Sequence, residues 1–239
     1  METRWTREAL ILGVLLCIGL LGGAWLAGEA ALRFKQLERT VTVKGLAERE
    51  VPADRAIWPV RFSEVGNDLP ALNAQLEKAG VLIVAFLKEK GFKDEEITLS
   101  APTIIDKQAQ GYGDAAQQPY RYAASNVVTV YTGDVERVRE SRRALVDLGK
   151  RGVAITGDEY QARVEYLYTG LNSLKPGMIE EATNNAREVA EKFARDSHSS
   201  LGRIKQANQG QFSIEDRDSN TPYIKKVRVV STLEYYLTD

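Results

Sequence analysis

Cysteine and histidine are almost missing from this sequence. Among 239 residues there is one cysteine and one histidine. The cysteine, Cys17, lies inside an apolar run, so the rest of the chain has no thiol for a disulfide, a thiolate metal site or a cysteine nucleophile. With His198 alone there is no histidine cluster for zinc and no motif-supported Ser–His pair. Charge of one sign is lacking too. Lys plus Arg number 32 against 33 Asp plus Glu, a formal net charge of -1, without the basic excess expected of a nucleic-acid binder. No Walker, Gly-x-Ser-x-Gly or His-Glu-x-x-His pattern occurs.

What is present begins with a long apolar segment. Arg4 and Arg7 precede an uncharged run from Ala9 to Gly28. Twenty helical residues at about 1.5 Å rise span roughly 30 Å, the hydrocarbon thickness of a bilayer. The run exceeds a signal-peptide core, and Gly28-Glu29-Ala30 is a poor cleavage site. We read residues 1–8 as a cytoplasmic tail, 9–28 as an uncleaved transmembrane signal anchor, 29–38 as a charged linker and 39–239 as the folded body. Arg33, Lys35 and Arg39 flank the far end of the run, so the positive-inside count leaves orientation open. Gly19, Gly23 and Ala27 recur every four residues and form a small-residue stripe for membrane-helix packing.

The body alternates strand and helix signals. Thr40 to Val43 reads as a strand and Gly45 as a bulge or bend, with a turn at Val51-Pro52-Ala53-Asp54. Ala56, Trp58, Val60 and Phe62 form an apolar strand face, and Pro59 within it argues for an edge or a bulge. A helix over 69–90 carries Leu69, Leu72, Leu76, Ala79, Ile83 and Leu87, with Asp68 as its cap and Gly91 as its end. Strands follow at 96–106 and 120–132 around a Gly- and Gln-rich hairpin loop. A second helix runs from Asp134 to Gly149, and a strand from Val153 to Thr169. A third helix, 175–198, has Pro176 in its first turn and a stripe of Ile179, Ala182, Ala186, Val189, Ala190, Phe193 and Ala194. Its alanines predict close packing on a sheet or helix. Strands at 203–213 and 223–237 complete the body. The predicted fold is α+β, mainly antiparallel sheets with three packed helices in two lobes, plus one N-terminal transmembrane helix. Residues 54–169 follow the β-α-β-β-α-β order of a ferredoxin-like unit.

Candidate chemistry is sparse. His198 reads as a solvated helix-terminus residue, and Gly111-Tyr-Gly113 as a loop tip, since no helix follows to complete a phosphate cradle. The carboxylates Asp94-Glu95-Glu96, Glu180-Glu181 and Glu215-Asp216-Arg217-Asp218 lack the alternation of a calcium loop. Arg139, Arg142 and Arg143 share a helix face, where Glu136 and Glu140 predict intrahelical pairs; an anionic lipid or an acidic partner surface is the alternative. We therefore expect no catalytic residue, cofactor or metal.

Three stretches together carry a resemblance. They are Val41-Thr-Val-Lys-Gly45 with Val51-Pro-Ala-Asp54, then Tyr122-Ala-Ala-Ser-Asn-Val-Val-Thr-Val130 with Asp134-Val-Glu-Arg-Val138, and Ala186-Arg-Glu-Val-Ala-Glu-Lys-Phe-Ala194 leading into Leu201-Gly-Arg-Ile204. In that order and spacing, from about 39 to 237, the chain resembles the SIMPL-domain family of bacterial envelope proteins of unknown function. It departs at Gly45-Leu-Ala-Glu48, where members often have Gly-x-Gly-Glu. The resemblance implies an exported two-lobed α+β body, in the periplasm or at the cell surface, that self-associates into a closed homo-oligomer. No catalytic residues are established for such proteins. The expected partners are thus other copies of this chain and, through the anchor, membrane lipid; nucleic acid is not among them. The expected function is a membrane-anchored scaffold. The alternative is a periplasmic small-ligand-binding module, motivated by Tyr112, Tyr120, Tyr122, Tyr166 and Tyr168.

Overall fold

A computed structural model describes residues 2–36, 39–109, 119–156 and 163–238. Helix α1 (Glu2–Gln36) opens the chain and carries the charged stretch from Glu29 in helical form as far as Gln36. Within it, Gly13–Ala30 is long and apolar enough to cross a membrane and has no buried residue. A Cβ built on Gly19 or Gly23 meets nothing within 4 Å.

The rest of the chain forms β1 (Thr40–Pro52), β2 (Arg55–Gly66), α2 (Leu69–Glu89), β3 (Ile97–Leu99), β4 (Thr103–Asp106), β5 (Tyr122–Thr132), α3 (Val135–Arg143), α4 (Val146–Lys150), β6 (Glu165–Leu167), α5 (Leu171–Asp196), β7 (Ser200–Gln209), β8 (Ser213–Asp216) and β9 (Ile224–Thr238). The fold is α+β, and the chain divides into two compact units, as two lobes require. One contains residues 49–174 and 213–227; the other contains 1–48, 175–212 and 228–239.

In the first unit the strand order is β3-β5-β2-β6, with β4 also on β5, and the pairs are antiparallel. Taking β3 and β4 as one interrupted strand, this is the order of a split β-α-β unit, as the element sequence predicts. Ala56, Trp58, Val60 and Phe62 are all buried, facing a core with Leu72, Ile83, Phe86 and Leu87 of α2. Asp68 caps α2 by accepting the Ala71 N–H at 2.8 Å, and Gly91 follows at φ +90°, the left-handed conformation that glycine adopts without strain. Leu69, expected inside, is instead exposed, and Phe86 joins the core.

Pro59 does not mark an edge: β2 is an interior strand, with Pro59 opposite Thr129 of β5. Its missing N–H points the other way. On that side β6 reaches only Ile57, and the next contact is the Phe62–Ile155 bridge. Proline therefore sits at a gap between two short neighbours, where no ladder bond is lost. Among the described residues of the expected strand over 153–169, β6 and this bridge carry the sheet pairing. The 96–106 strand is split at Ala101-Pro102 into β3 and β4. The helix expected from Asp134 to Gly149 breaks between α3 and α4, where Ala144 and Leu145 donate to the carbonyls of Ser141 and Arg142 in tight i→i−3 bonds.

In the second unit β9 lies between β1 and β7, and α5 covers one face. Ala182, Ala186 and Ala190 are fully buried, and Ala194 nearly so. Ala186 and Ala190 pack with Val43, Leu233 and Tyr235. Gly45 is not a bulge, since β1 runs straight through it. It is the point where α5 touches the strand: a Cβ there would overlap the Ala182 carbonyl oxygen and stand 2.5 Å from Ala186 N and 2.8 Å from Ala186 Cβ. So close an approach admits only the alanine line, which leaves Val189 and Phe193 exposed. The outer face of this sheet carries the ion pairs Lys205–Glu234 and Arg228–Glu48. Helix α5 starts at Leu171, so Pro176 lies in its second turn and not its first, at the cost of one helical bond.

Gly45→Ala should destabilise the protein by about 1–3 kcal/mol, because a methyl is forced into helix backbone. Gly149→Ala in α4, where a Cβ meets nothing within 4 Å, should be neutral or stabilising by up to about 1 kcal/mol. Thermal melts of the two variants check this contrast.

Candidate functional site

The sequence motif at the β1–β2 turn builds the surroundings of the most structured surface feature. Ala53 N–H donates to Tyr223 O at 2.8 Å and Asp54 N–H to Leu167 O at 2.9 Å. The Asp54 carboxylate then accepts N–H bonds from Thr169 at 2.9 Å and Gly170 at 3.1 Å. The turn thereby fixes Tyr223 on one side and the end of β6 on the other. Between them Tyr166 is buried, and its ring meets Tyr223 edge-on, with centroids 6.2 Å apart.

Two clefts flank Tyr166. The larger, about 560 Å³, is lined by Arg163, Tyr168, Ile214, Asp216 and Lys225 among others. Lys225 is buried, in phase with Val227 and Val229 of the inward face. Its charge is held by Asp216, which Arg163 also approaches at 3.4 Å. Two cations thus share one carboxylate, and burying Lys225 without Asp216 would be costly.

The smaller cleft, about 350 Å³, is lined by Arg139, Arg142, Arg143, Tyr166, Asn220, Pro222 and Tyr223. Burial of Val138 and Ser141 sets the rotation of α3 and turns the arginines outward. Arg139 pairs with Glu136 and lies over the Tyr223 ring, 3.8 Å from its centroid. Burial, the larger effect, raises the Tyr166 phenol above its ordinary range, although the positive charge of Arg142 beside it works the other way. The expected Glu140–Arg143 pair does not form, and Arg143 has no ion-pair partner among the described residues. The opposite wall is a loop organised by Asp218, whose carboxylate accepts the N–H groups of Asn220 and Thr221 at 2.8 Å each and the Thr221 hydroxyl. Those bonds, with Arg217, hold Asp218 from 3.8 down to about 2.

The other candidates take structural places. His198 is exposed just past the end of α5, at φ 56°, where Ser199 N–H closes the helix onto Ala194 O at 2.8 Å. Glu96 is pushed up by burial, but bonds from the Lys93 N–H and the Thr132 hydroxyl outweigh this and hold it low. Among the described residues no three His, Cys, Asp or Glu side chains are grouped to hold a metal. Gly111, Tyr112, Gly113 and Ala162 lie outside the described residues. Tyr120 and Tyr122 stand away from the clefts, Tyr122 beneath the Arg121 guanidinium, so of the four singled-out tyrosines that the structure describes, Tyr166 and Tyr168 line a cleft. Arg163, Lys225, Asn220 and Tyr223 were missed. Lys225 alone carried a signal, its alternation with Val227 and Val229.

The SIMPL profile, described as a protein of unknown function (DUF541), matches residues 41–232. The chain belongs to the SIMPL family. No curated protein matches it. Within this SIMPL chain the Val51-Pro-Ala-Asp54 stretch acts as the clamp on β6 and Tyr223.

The Asp218 carboxylate should titrate near pH 2. Its folded value lies below its unfolded one, so its support for the loop is full above 3.8 and lost as pH falls through about 2. Carboxyl chemical shifts followed against pH test this; a midpoint near 3.8 would show that the loop bonds are absent.

Proposed function

We propose that this SIMPL chain is an envelope scaffold, anchored in the inner membrane by α1, with its body in the periplasm or outside the cell. The body self-assembles into a closed homo-oligomer and is not an enzyme. The observation that supports this reading is the edge made by β3 and β4. Among the described residues no strand lies beyond them, and the edge carries Leu99, Ile104 and Ile105 at 49%, 38% and 39% exposure. Ser100 and Lys107 donate their N–H groups toward β5. Strand alternation therefore turns the N–H groups of Leu99, Ile104 and Asp106 outward.

The β7 edge differs. It carries Arg203 and Lys205 and two register shifts, the charges and bulges with which proteins blunt an edge. The β3–β4 edge has Pro102 at its centre but greasy arms on both sides, and a second copy offers those arms an identical partner. Identical copies close by rotation, and confinement of anchors in one bilayer raises their effective concentration so that short pairings suffice. Membrane lipid around α1 is then the other partner.

Full-length protein in mild detergent should have the mass of a discrete oligomer, and Ile105→Lys should shift it to monomer while changing stability by no more than about 0.5 kcal/mol, as exposed substitutions do. A monomeric parent protein would overturn the proposal, and an oligomer indifferent to Ile105→Lys would remove the edge from it.

A further inference from the structure

The arginine cleft has features that neither scaffolding nor helix stability uses. We propose that it binds a phosphate monoester group, gripped by Arg142 and Arg143 with help from the Asn220 amide and the Tyr166 hydroxyl. This inference does not rest on self-assembly.

Three guanidinium groups come from one nine-residue helix, but they are not equivalent. Arg139 is neutralised by Glu136 and spends its flat face on Tyr223, which makes it a wall of the cleft. Arg142 stands beside Tyr166 in the cleft and, like Arg143, has no acidic partner among the described residues. Among the described residues, two positive charges therefore remain uncompensated at the cleft, matching the charge of about -1.5 to -2 on a phosphate monoester near neutral pH.

Donor number favours phosphate over carboxylate. A carboxylate offers two oxygens with about four acceptor sites, which two guanidinium forks already fill. The Asn220 amide and the Tyr166 hydroxyl would then be left over, whereas a phosphate has a third oxygen for them. The volume, about 350 Å³, holds the phosphate with a small organic part. Pro222 and the edges of the two tyrosines give that part an apolar wall.

The site is also set before any ligand arrives. The Asp218 bonds fix the turn that carries Asn220, and Ala53 fixes Tyr223 from behind. Little ordering remains to oppose binding. The phosphate could be carried by a soluble monoester or by a phosphatidic acid headgroup; the chemistry at the arginines is the same.

The test uses full-length protein in neutral-lipid nanodiscs, titrated with phenyl phosphate by calorimetry at constant ionic strength. Saturable binding is expected, weakened about tenfold or more, over 1.4 kcal/mol, in Arg142→Gln/Arg143→Gln. Arg143→Gln alone disturbs no structural bond and should also weaken it. Glu136→Gln, which frees Arg139, should tighten it, and benzoate should bind more weakly than phenyl phosphate. Nanodiscs containing phosphatidic acid separate the sources: competition there identifies a lipid headgroup, and undiminished binding identifies a soluble monoester. Absence of saturation to about 10 mM, a range weaker than ordinary ligand affinity, or equal affinity in folded Arg143→Gln and parent protein, would overturn the proposal.

Discussion

The pairing of β2 with β5 is the constraint on which the first unit depends. Eleven consecutive residues are in register, from Ala56 opposite Thr132 to Gly66 opposite Tyr122. Because side chains alternate, this register places Trp58, Val60 and Phe62 on the same face as Val130, Val128 and Asn126, beneath α2. A slip of one residue would turn that whole face to solvent. The two strands also distribute everything else. The free side of β5 receives β3 and β4 and so creates the open edge, while the free side of β2 receives β6 and so creates both clefts around Tyr166. Self-assembly and ligand binding, as proposed, draw on opposite sides of one strand pair.

The second unit uses a different device. Its sheet and helix meet through the smallest side chains available, glycine on β1 against a line of alanines on α5. Backbone contact replaces large side chains, and dispersion over the closely matched surfaces holds the layers. Larger residues on α5 are displaced to the sides of that line, which is why Val189 and Phe193 face out.

Local signals in the sequence were legible where one residue type answers one local need. The Asp68 cap, the Gly91 stop, the alternation from Ala56 to Phe62 and the alanine repeat of α5 all stand where their chemistry demands. Misreadings arose where a neighbour decides. Pro59 suggested an edge, yet an interior strand tolerates it because β6 stops short. Gly45 suggested a bend, yet the helix above it is what excludes a side chain. Lys225 was passed over, yet it alternates with Val227 and Val229, and Asp216, nine positions back, holds its charge. The arginine cleft could not be read from sequence at all beyond its three arginines, because its far wall arrives from residues 218–223, held by the Asp218 carboxylate and by one hydrogen bond that Ala53 donates to Tyr223 O.

In the proposed assembly, copies of this SIMPL chain join through the β3–β4 edge. Amide hydrogen exchange of the full-length protein in native-like membrane reports on that edge directly, at the N–H groups of Ile104 and Asp106 that point away from β5. In an assembly joined there these amides exchange slowly, at rates close to those of Thr103 and Ile105, which are bonded to β5. Fast exchange at Ile104 and Asp106 beside slow exchange at Thr103 and Ile105 would leave the edge open and contradict the claim.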